Sequence, residues 1–383
     1  MDGTILPGPR LFRGAVWLAA AVAICLVARA DNGPATPSCA AGPGGGCSGL
    51  VVPGPRSENV PVGTLVLVNS DGFGPVSAIH RQILGNLPPD VKAIVLVPAS
   101  LEIVAAQYLD LFPGEFRSGR FARVRSESEG NWARDFLPEA VVETDGTVSL
   151  RQFSYYDRPK AEQAAQDLAR ALDLPLHKSE IYLEFGNLMF DGRGTAFATE
   201  FIIKFNQFLH QDLDRTQIEQ KIKEHLGLDR IVWLPRQPME RSGHIDMFAK
   251  LVGEKKVLVA DSRIAERREM LAGVARQFEA RGYEVIRVMH AEIPSAPPQV
   301  YSYTNSTIVN GVAFVPVYFD PAQPAQTPEF EALDRRALEA YRRLGFQVVP
   351  IQSAALVAFG GSIHCLTRQL PRLGPRAQSP APS

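Results

Sequence analysis

Thr307-Ile308-Val309-Asn310-Gly311-Val312-Ala313-Phe314-Val315-Pro316-Val317 sets an Asn-Gly pair between two apolar runs. That dipeptide suits a tight turn whose two central residues take positive φ, so the stretch predicts a β-hairpin. Downstream, Thr327 and Pro328 supply an N-cap and a proline at the first helical position. Phe330, Leu333, Ala337, Tyr341 and Leu344 then recur at helical spacing up to a stop at Gly345. A short apolar strand, Val348-Val349-Pro350-Ile351, follows. The order is hairpin, helix, strand.

Upstream the order repeats. Asp145-Gly146, Asp191-Gly192 and Gly253-Glu254 are turn pairs inside apolar runs, and each precedes a helical pattern of about 15–18 residues. Ile264, Leu271, Val274 and Phe278 share one side of the helix after the third hairpin. Ile231-Val232-Trp233-Leu234 and Val285-Ile286-Arg287-Val288 are the strands that come next. Successive turn pairs lie 46, 62 and 57 residues apart, a loose period that suggests αβ modules around a common centre. The N-terminal part fits less neatly, with strands near 64–69 and 93–98 and helices near 78–87 and 101–111. Periodicity alone leaves an ordinary α+β domain equally open.

The 383 residues are 45% hydrophobic and 21% charged, enough apolar material for a large core. A formal charge of −1 without a basic stripe argues against nucleic acid as a partner. Four Cys are too few for a disulfide-built scaffold. Residues 1–30 read as a signal peptide. Arg10 and Arg13 precede an apolar stretch from Gly14 to Val27, and Ala28-Arg29-Ala30 is a cleavage site. That stretch is too short to span a bilayer stably, so the expectation is export to the periplasm or medium, with an uncleaved anchor as the alternative. Residues 31–60, rich in Gly, Pro and Ser, read as a flexible leader in which Cys39 and Cys47 could close a small loop. The catalytic domain is expected over 61–371 and a disordered tail over 372–383.

Four segments look unlike core: Asn131-Trp132-Ala133-Arg134-Asp135, Glu184-Phe185-Gly186-Asn187, Gly243-His244-Ile245-Asp246, and Gly360-Gly361-Ser362-Ile363-His364-Cys365. Strand alternation in the third would put His244 and Asp246 on one face. A Cys, a His and several carboxylates, without a metal-ligating cluster, point to thiolate nucleophilic catalysis. The carboxylates suit a cationic planar substrate, because a guanidinium presents five donors in a fork.

These segments resemble the ordered landmarks of the agmatine deiminase and bacterial-type peptidyl-arginine deiminase family. Trp132-Ala133-Arg134-Asp135, Asp191-Gly192-Arg193-Gly194-Thr195, Gly243-His244-Ile245-Asp246 and Gly361-Ser362-Ile363-His364-Cys365-Leu366-Thr367-Arg368-Gln369 occur in the family's order. Ser302-Tyr303-Thr304-Asn305, ahead of Asn310-Gly311 and Pro316, is similar to its stretch before the last helix. The resemblance covers roughly 120–371. It implies an α/β pentein fold, a five-bladed arrangement of ββαβ-type modules. Cys365 would be the nucleophile, His244 the general acid and base, and Asp135 and Asp246 the carboxylates gripping the guanidinium. Trp132, Arg134, Glu184 and Asn187 would line the substrate, and no cofactor or metal is implied. His364, next to the nucleophile, should point to the opposite face of a strand and be structural.

Three departures bear on the substrate. Phe185 stands where the agmatine enzymes carry glycine, Phe359 precedes Gly360-Gly361 in a stretch shorter in glycine than the family's, and Arg368 replaces one Gln of the terminal motif. Together they put recognition of agmatine's amine end in doubt, with Glu184 the one obvious carboxylate for it. Arg158 and Lys160 resemble the basic pair with which secreted peptidyl-arginine deiminases hold a substrate carboxylate. With export, this favours peptidyl or C-terminal arginine over agmatine as the substrate. Amidino transfer and a non-catalytic guanidine-binding module are the remaining readings, and the sequence leaves the oligomeric state open.

Overall fold

The computed structural model describes residues 53–372, except 73, 129, 157, 294–298 and 322–327. The signal peptide, the Cys39–Cys47 pairing, the Thr327 cap and all of the tail but Arg372 therefore lie outside the described residues.

Each turn pair lies at the connection of two antiparallel strands, although in the third the loop is Glu254-Lys255, one residue beyond the expected Gly253-Glu254. Glu139–Val142 pairs with Val148–Ser154, Leu188–Phe190 with Thr195–Thr199, Ala249–Gly253 with Lys256–Asp261, and Thr307–Val309 with Val312–Val317. Asn310 and Gly311 both take positive φ, 46° and 85°, as the Asn-Gly turn requires. In the third hairpin the left-handed residue is Lys255, at 55°.

A helical segment follows each hairpin, and the chain returns as a strand parallel to the hairpin's second strand. The helices are Pro159–Leu172, Ala265–Glu279 and Pro328–Arg343 in three modules. The returning strands are Leu176–Tyr182, Arg230–Leu234, Glu284–Met289 and Gln347–Gln352. In the second module the helical stretch is split into Phe201–Leu209 and Arg215–Leu226. Asp214 starts the latter through a capping box with Gln217, which breaks the single helix the pattern predicts.

The poorly fitting N-terminal part is a fifth copy of the same sheet. Thr367–Pro371, from the C-terminal end, runs antiparallel to Val62–Val68, which pairs in parallel with Lys92–Val97 and then Phe121–Arg125. Its hairpin is thus assembled from the two ends of the domain, so no turn dipeptide marks it. Five apolar clusters form the core of the described residues, with the helix faces packed on the sheets. Leu271, Val274 and Phe278 are fully buried on the side that their spacing predicts.

One boundary needs correction. Residues 53–60, assigned to the flexible leader, belong to the fold. Gly54–Pro55 pairs antiparallel with Val141–Val142, and Glu58 inserts its carboxylate among Arg134, Lys250 and His364. Composition concealed this, because a Gly/Pro/Ser-rich segment carries no periodic pattern while one charged side chain anchors it.

Candidate active site

The modular order places the four landmarks, and a fifth segment, at one position in every module: the turn leading into the first strand of the hairpin. Asp135 lies in the short helix Ala133–Phe136 before Glu139–Val142, and Glu184 precedes the 3₁₀ turn Phe185–Asn187 before Leu188–Phe190. His244 and Asp246 flank the start of the 3₁₀ turn Ile245–Met247 before Ala249–Gly253. Ser302–Ser306 leads into Thr307–Val309, and the Cys365 turn, 363–366, into Thr367–Pro371. The strand expected at Gly243–Asp246 is therefore a turn, although His244 and Asp246 still enter one cluster. The strand assumed at His364 is likewise a turn, and its imidazole faces Asp246 instead of pointing away.

The geometry is compact. The Cys365 thiol is buried 3.7 Å from Asp246 Oδ2 and 3.2 Å from Asn305 Nδ2. Asn305 Oδ1 accepts the backbone N–H groups of His364 and Cys365, at 3.0 and 3.4 Å, and the Arg134 N–H donates to the Cys365 carbonyl at 3.0 Å. His244 Nε2 lies 2.8 Å from Glu184 Oε2, and Nδ1 lies 3.7 Å from Asp135 Oδ1. Among the described residues, Asp135 Oδ1, Asp246 Oδ1 and His244 Nδ1 are buried without a hydrogen-bond partner. Unpaired buried carboxylate oxygens are costly, so they mark where a donor is missing.

Gly186 and Gly361 make room for this cluster. A Cβ on Gly186 would lie 2.5 Å from His244 Nδ1 and 2.7 Å from Asp135 Oδ1. One on Gly361 would lie 2.8 Å from the Trp132 ring and 3.1 Å from Cys365 Sγ.

Electrostatics follow from burial and these carboxylates. Burial raises Asp135, and although His244 pulls it down, Glu184 and Asp246 help hold it at about 8. Burial works against the His244 imidazolium, but Asp135 and Glu184 outweigh it and push its pKa up to about 10. Burial, then Asp246 and Asp135, push the Cys365 thiol well above its ordinary range. A cation between the two aspartates would reverse the last two contributions.

A pH profile follows for any cationic substrate. Asp135 must be ionised to grip it, so kcat/KM should rise with pH through about 8. An acid at His244 is lost above about 10, so the rate should fall there. Both limbs belong to the Asp135–His244 pair. In kcat the acid limb should move to lower pH, because bound cation favours the carboxylate. Steady-state rates between pH 6 and 11 check this; a flat profile through about 8 would contradict it.

Several residues expected to line the substrate are engaged elsewhere. The Arg134 guanidinium is buried against Glu58 (3.4 Å) and Gln369, so its part here is to brace the Cys365 turn through its backbone. Asn187 is buried too: its amide donates to Thr199 Oγ1 at 2.9 Å, and its oxygen accepts the N–H groups of Thr199 and Ile245. It fixes the turn carrying His244 and Asp246. Glu184 faces His244 and does not stand free for an amine. Trp132 packs beside Cys365 as its landmark suggests. Arg158 is exposed with its guanidinium over the Tyr155 and Tyr156 rings, 5.6 and 5.5 Å from their centroids, and Lys160 is exposed in the first turn of the next helix. Asn305 and Glu58 are the site residues that sequence reasoning left without a role.

Two of the departures, Phe185 and Arg368, explain each other. The Arg368 guanidinium stacks on the Phe185 ring, 4.4 Å from its centroid, and pairs with Glu139 at 2.6 Å, all three buried. They are a coupled piece of core and carry no information about the substrate's far end. Arg368→Gln leaves Glu139 buried and unpaired and should cost about 3–5 kcal/mol. Combining it with Phe185→Gly should cost about 1 kcal/mol less than the two separate losses. Denaturant unfolding of both single variants and the double variant measures this; strict additivity would mean the two residues act independently.

The sequence model of the Porphyromonas-type peptidyl-arginine deiminases matches residues 70–371. The chain belongs to that family. Among curated relatives of this deiminase, the agmatine deiminase of Stutzerimonas stutzeri is 27% identical over 295 residues, covering 66% of this chain and 77% of its own. That of Pseudomonas aeruginosa strain UCBPP-PA14 is 25% identical over 296 residues, with the same coverage. Two solved structures share its architecture. A C. jejuni agmatine deiminase with substrate bound superposes with a TM-score of 0.67 at 17% identity, covering 83% of this chain and 96% of the other. The agmatine deiminase of Enterococcus faecalis gives 0.66 at 19%, covering 84% and 96%. The fold is the α/β pentein fold, and the deiminase is a hydrolase of amidine C–N bonds.

Proposed function

We propose that this deiminase hydrolyses a guanidinium group to a ureido product and ammonia through a covalent intermediate on Cys365. The observation that carries the reading is the pair of buried, unpartnered carboxylate oxygens, Asp135 Oδ1 and Asp246 Oδ1, beside the Cys365 thiol. A guanidinium, all donors and no acceptor, is the group that would satisfy both.

In this reading the two aspartates fix the guanidinium plane with its central carbon toward sulfur, and the Trp132 ring walls the site beside Sγ. The bound cation offsets the Asp246 and Asp135 charges that otherwise hold the thiol protonated, so when substrate arrives the thiol gives its proton to solvent and thiolate forms. Sulfur adds to carbon, and His244, kept cationic by Asp135 and Glu184, protonates the departing ammonia. The neutral imidazole then takes a proton from water, whose oxygen attacks the thiouronium. Collapse releases the ureido product and returns the thiol.

Agmatine is the substrate best supported, because the curated relatives that the chain matches are agmatine deiminases. A second reading, arginine with a free carboxylate, rests on exposed Arg158 and Lys160 and on the engagement of Glu184 with His244. The repeated strand order supports a five-bladed arrangement of the modules about the site, and the Arg-flanked apolar N-terminus supports export. Residues 31–383 should be assayed for ammonia and ureido product with agmatine, free arginine, and peptides carrying internal or C-terminal arginine. Agmatine turnover that survives Arg158→Ala/Lys160→Ala fits the first reading. Turnover confined to carboxylate-bearing substrates, and lost in that variant, fits the second. No turnover of any guanidine would overturn both.

A further inference from the structure

We propose that Glu58, on the strap between Gly54–Pro55 and Val62–Val68, is a positioning residue for Asp246 that acts through His364. This rests on the guanidine reading of the site above. His364 is fully buried between two carboxylates, with Nδ1 2.7 Å from Asp246 Oδ2 and Nε2 2.5 Å from Glu58 Oε1. Asp246 Oδ2 is also the atom 3.7 Å from the Cys365 thiol, so the line Glu58–His364–Asp246 ends at the reacting sulfur.

Proton counting shows what the line does. A neutral imidazole has one N–H and can serve one of its two carboxylate neighbours; the second contact needs another proton, on His364 or on a carboxyl. The three groups therefore hold two protons while both hydrogen bonds persist. Burial works against the Glu58 carboxylate, but His364, then Lys250 Nζ and the Arg134 guanidinium, outweigh it and hold the carboxyl well below the usual range. Burial and Arg134 push the His364 imidazolium down, and Glu58 opposes them. An ionised Glu58 keeps the Nε2 proton in place. The Nδ1 contact to Asp246 Oδ2 then fixes the carboxylate's rotation and leaves Oδ1 turned to the substrate. Glu58 also balances Lys250 and Arg134, two buried cations on the far side of Asp246.

The groups facing Asp246 and Cys365 are thus Asp135, Glu184 and His244 on one side, and His364, Glu58, Lys250 and Arg134 on the other. Glu58→Gln keeps the shape but makes this set more positive by one charge. It should raise KM for a guanidinium about tenfold, the size of one charge acting over ~10 Å of partly buried protein. It should also shift the acid limb of kcat/KM about one pH unit lower, because a more positive site eases ionisation of Asp135.

A second readout does not depend on turnover. Alkylation by iodoacetamide, a neutral reagent, followed on the peptide that carries Cys365, should show its apparent pKa lowered by about one unit in Glu58→Gln. Cations would bind worse while the thiol reacted more readily, a pairing that loosened packing would not give. Glu58→Asp should recover most of both properties, and Asn59→Ala, at the exposed neighbouring position, should change neither. Wild-type KM with unshifted profiles in Glu58→Gln would overturn the role of Glu58. Equal defects in Glu58→Asp and Glu58→Gln would assign Glu58 to packing alone and overturn it too. If no guanidine is turned over by the wild-type chain, the function proposed above fails, and the alkylation shift alone decides the coupling.

Discussion

Cys365→Ser should stop guanidine hydrolysis, with kcat reduced at least ~10⁴-fold and the fold intact. Burial and two neighbouring aspartates already hold the more acidic thiol in its protonated form. A hydroxyl at the same place meets the same opposition from a far higher starting pKa. The cation that rescues a thiol by binding between Asp135 and Asp246 is too weak a perturbation to ionise an alcohol. His244, with its proton held up to about 10, is a poor base for the first step, so it cannot take over. Binding should survive, because both carboxylates remain. Ammonia release together with a substrate-induced rise in Tm checks the two halves of the prediction. Residual turnover within tenfold of wild type would mean that water attacks directly and that sulfur is not the nucleophile.

Gly186→Ala should lower kcat/KM by 10² or more through one methyl group. The new Cβ would fall 2.5 Å from His244 Nδ1 and 2.7 Å from Asp135 Oδ1, distances at which neither neighbour can stay. Both are buried, and Glu184 and Asn187 hold His244 and the turn that follows it, so no solvent-facing rotamer is free to absorb the shift. Asp135 would leave the guanidinium position, or His244 would lose its alignment, and near-attack geometry tolerates neither. KM and kcat should both change while Tm moves little, because the methyl meets side chains of the site and not the apolar core. Wild-type kinetics in this variant would show that the Asp135–His244 arrangement is not what turnover requires.

How far the sequence could be read follows from the kind of signal each feature carries. Hairpin dipeptides such as Asn310-Gly311 are local and chemically constrained, so four of the five hairpin-type pairs that open the modules were legible. The fifth was not, since Thr367–Pro371 and Val62–Val68 meet from opposite ends of the chain with no turn between them. The landmarks around Asp135, His244, Asp246 and Cys365 were legible because they match a known family's motifs in order, and the structure then sets each at one point of a module. Side chains on those same landmarks were harder to assign. Arg134 and Asn187 carry polar groups that suit substrate or scaffold equally, and only packing shows them engaged with Glu58, Gln369, Thr199 and Ile245. Phe185 and Arg368 looked like separate changes in substrate recognition, whereas their stacking makes them one compensated change in the core. Glu58 left no sequence signal at all: its partners are more than 70 residues away, and its neighbours have the composition of a linker.

The central claim, that a guanidinium carbon becomes bonded to Cys365, is tested most directly by acid-quenching the enzyme during turnover of agmatine and arginine and weighing the Cys365 peptide. The account predicts a thiouronium adduct on that peptide, with the mass of the substrate less ammonia, that forms within one turnover and disappears as substrate is exhausted. Ureido product accumulating while the Cys365 peptide stays unmodified at every quench time would contradict it.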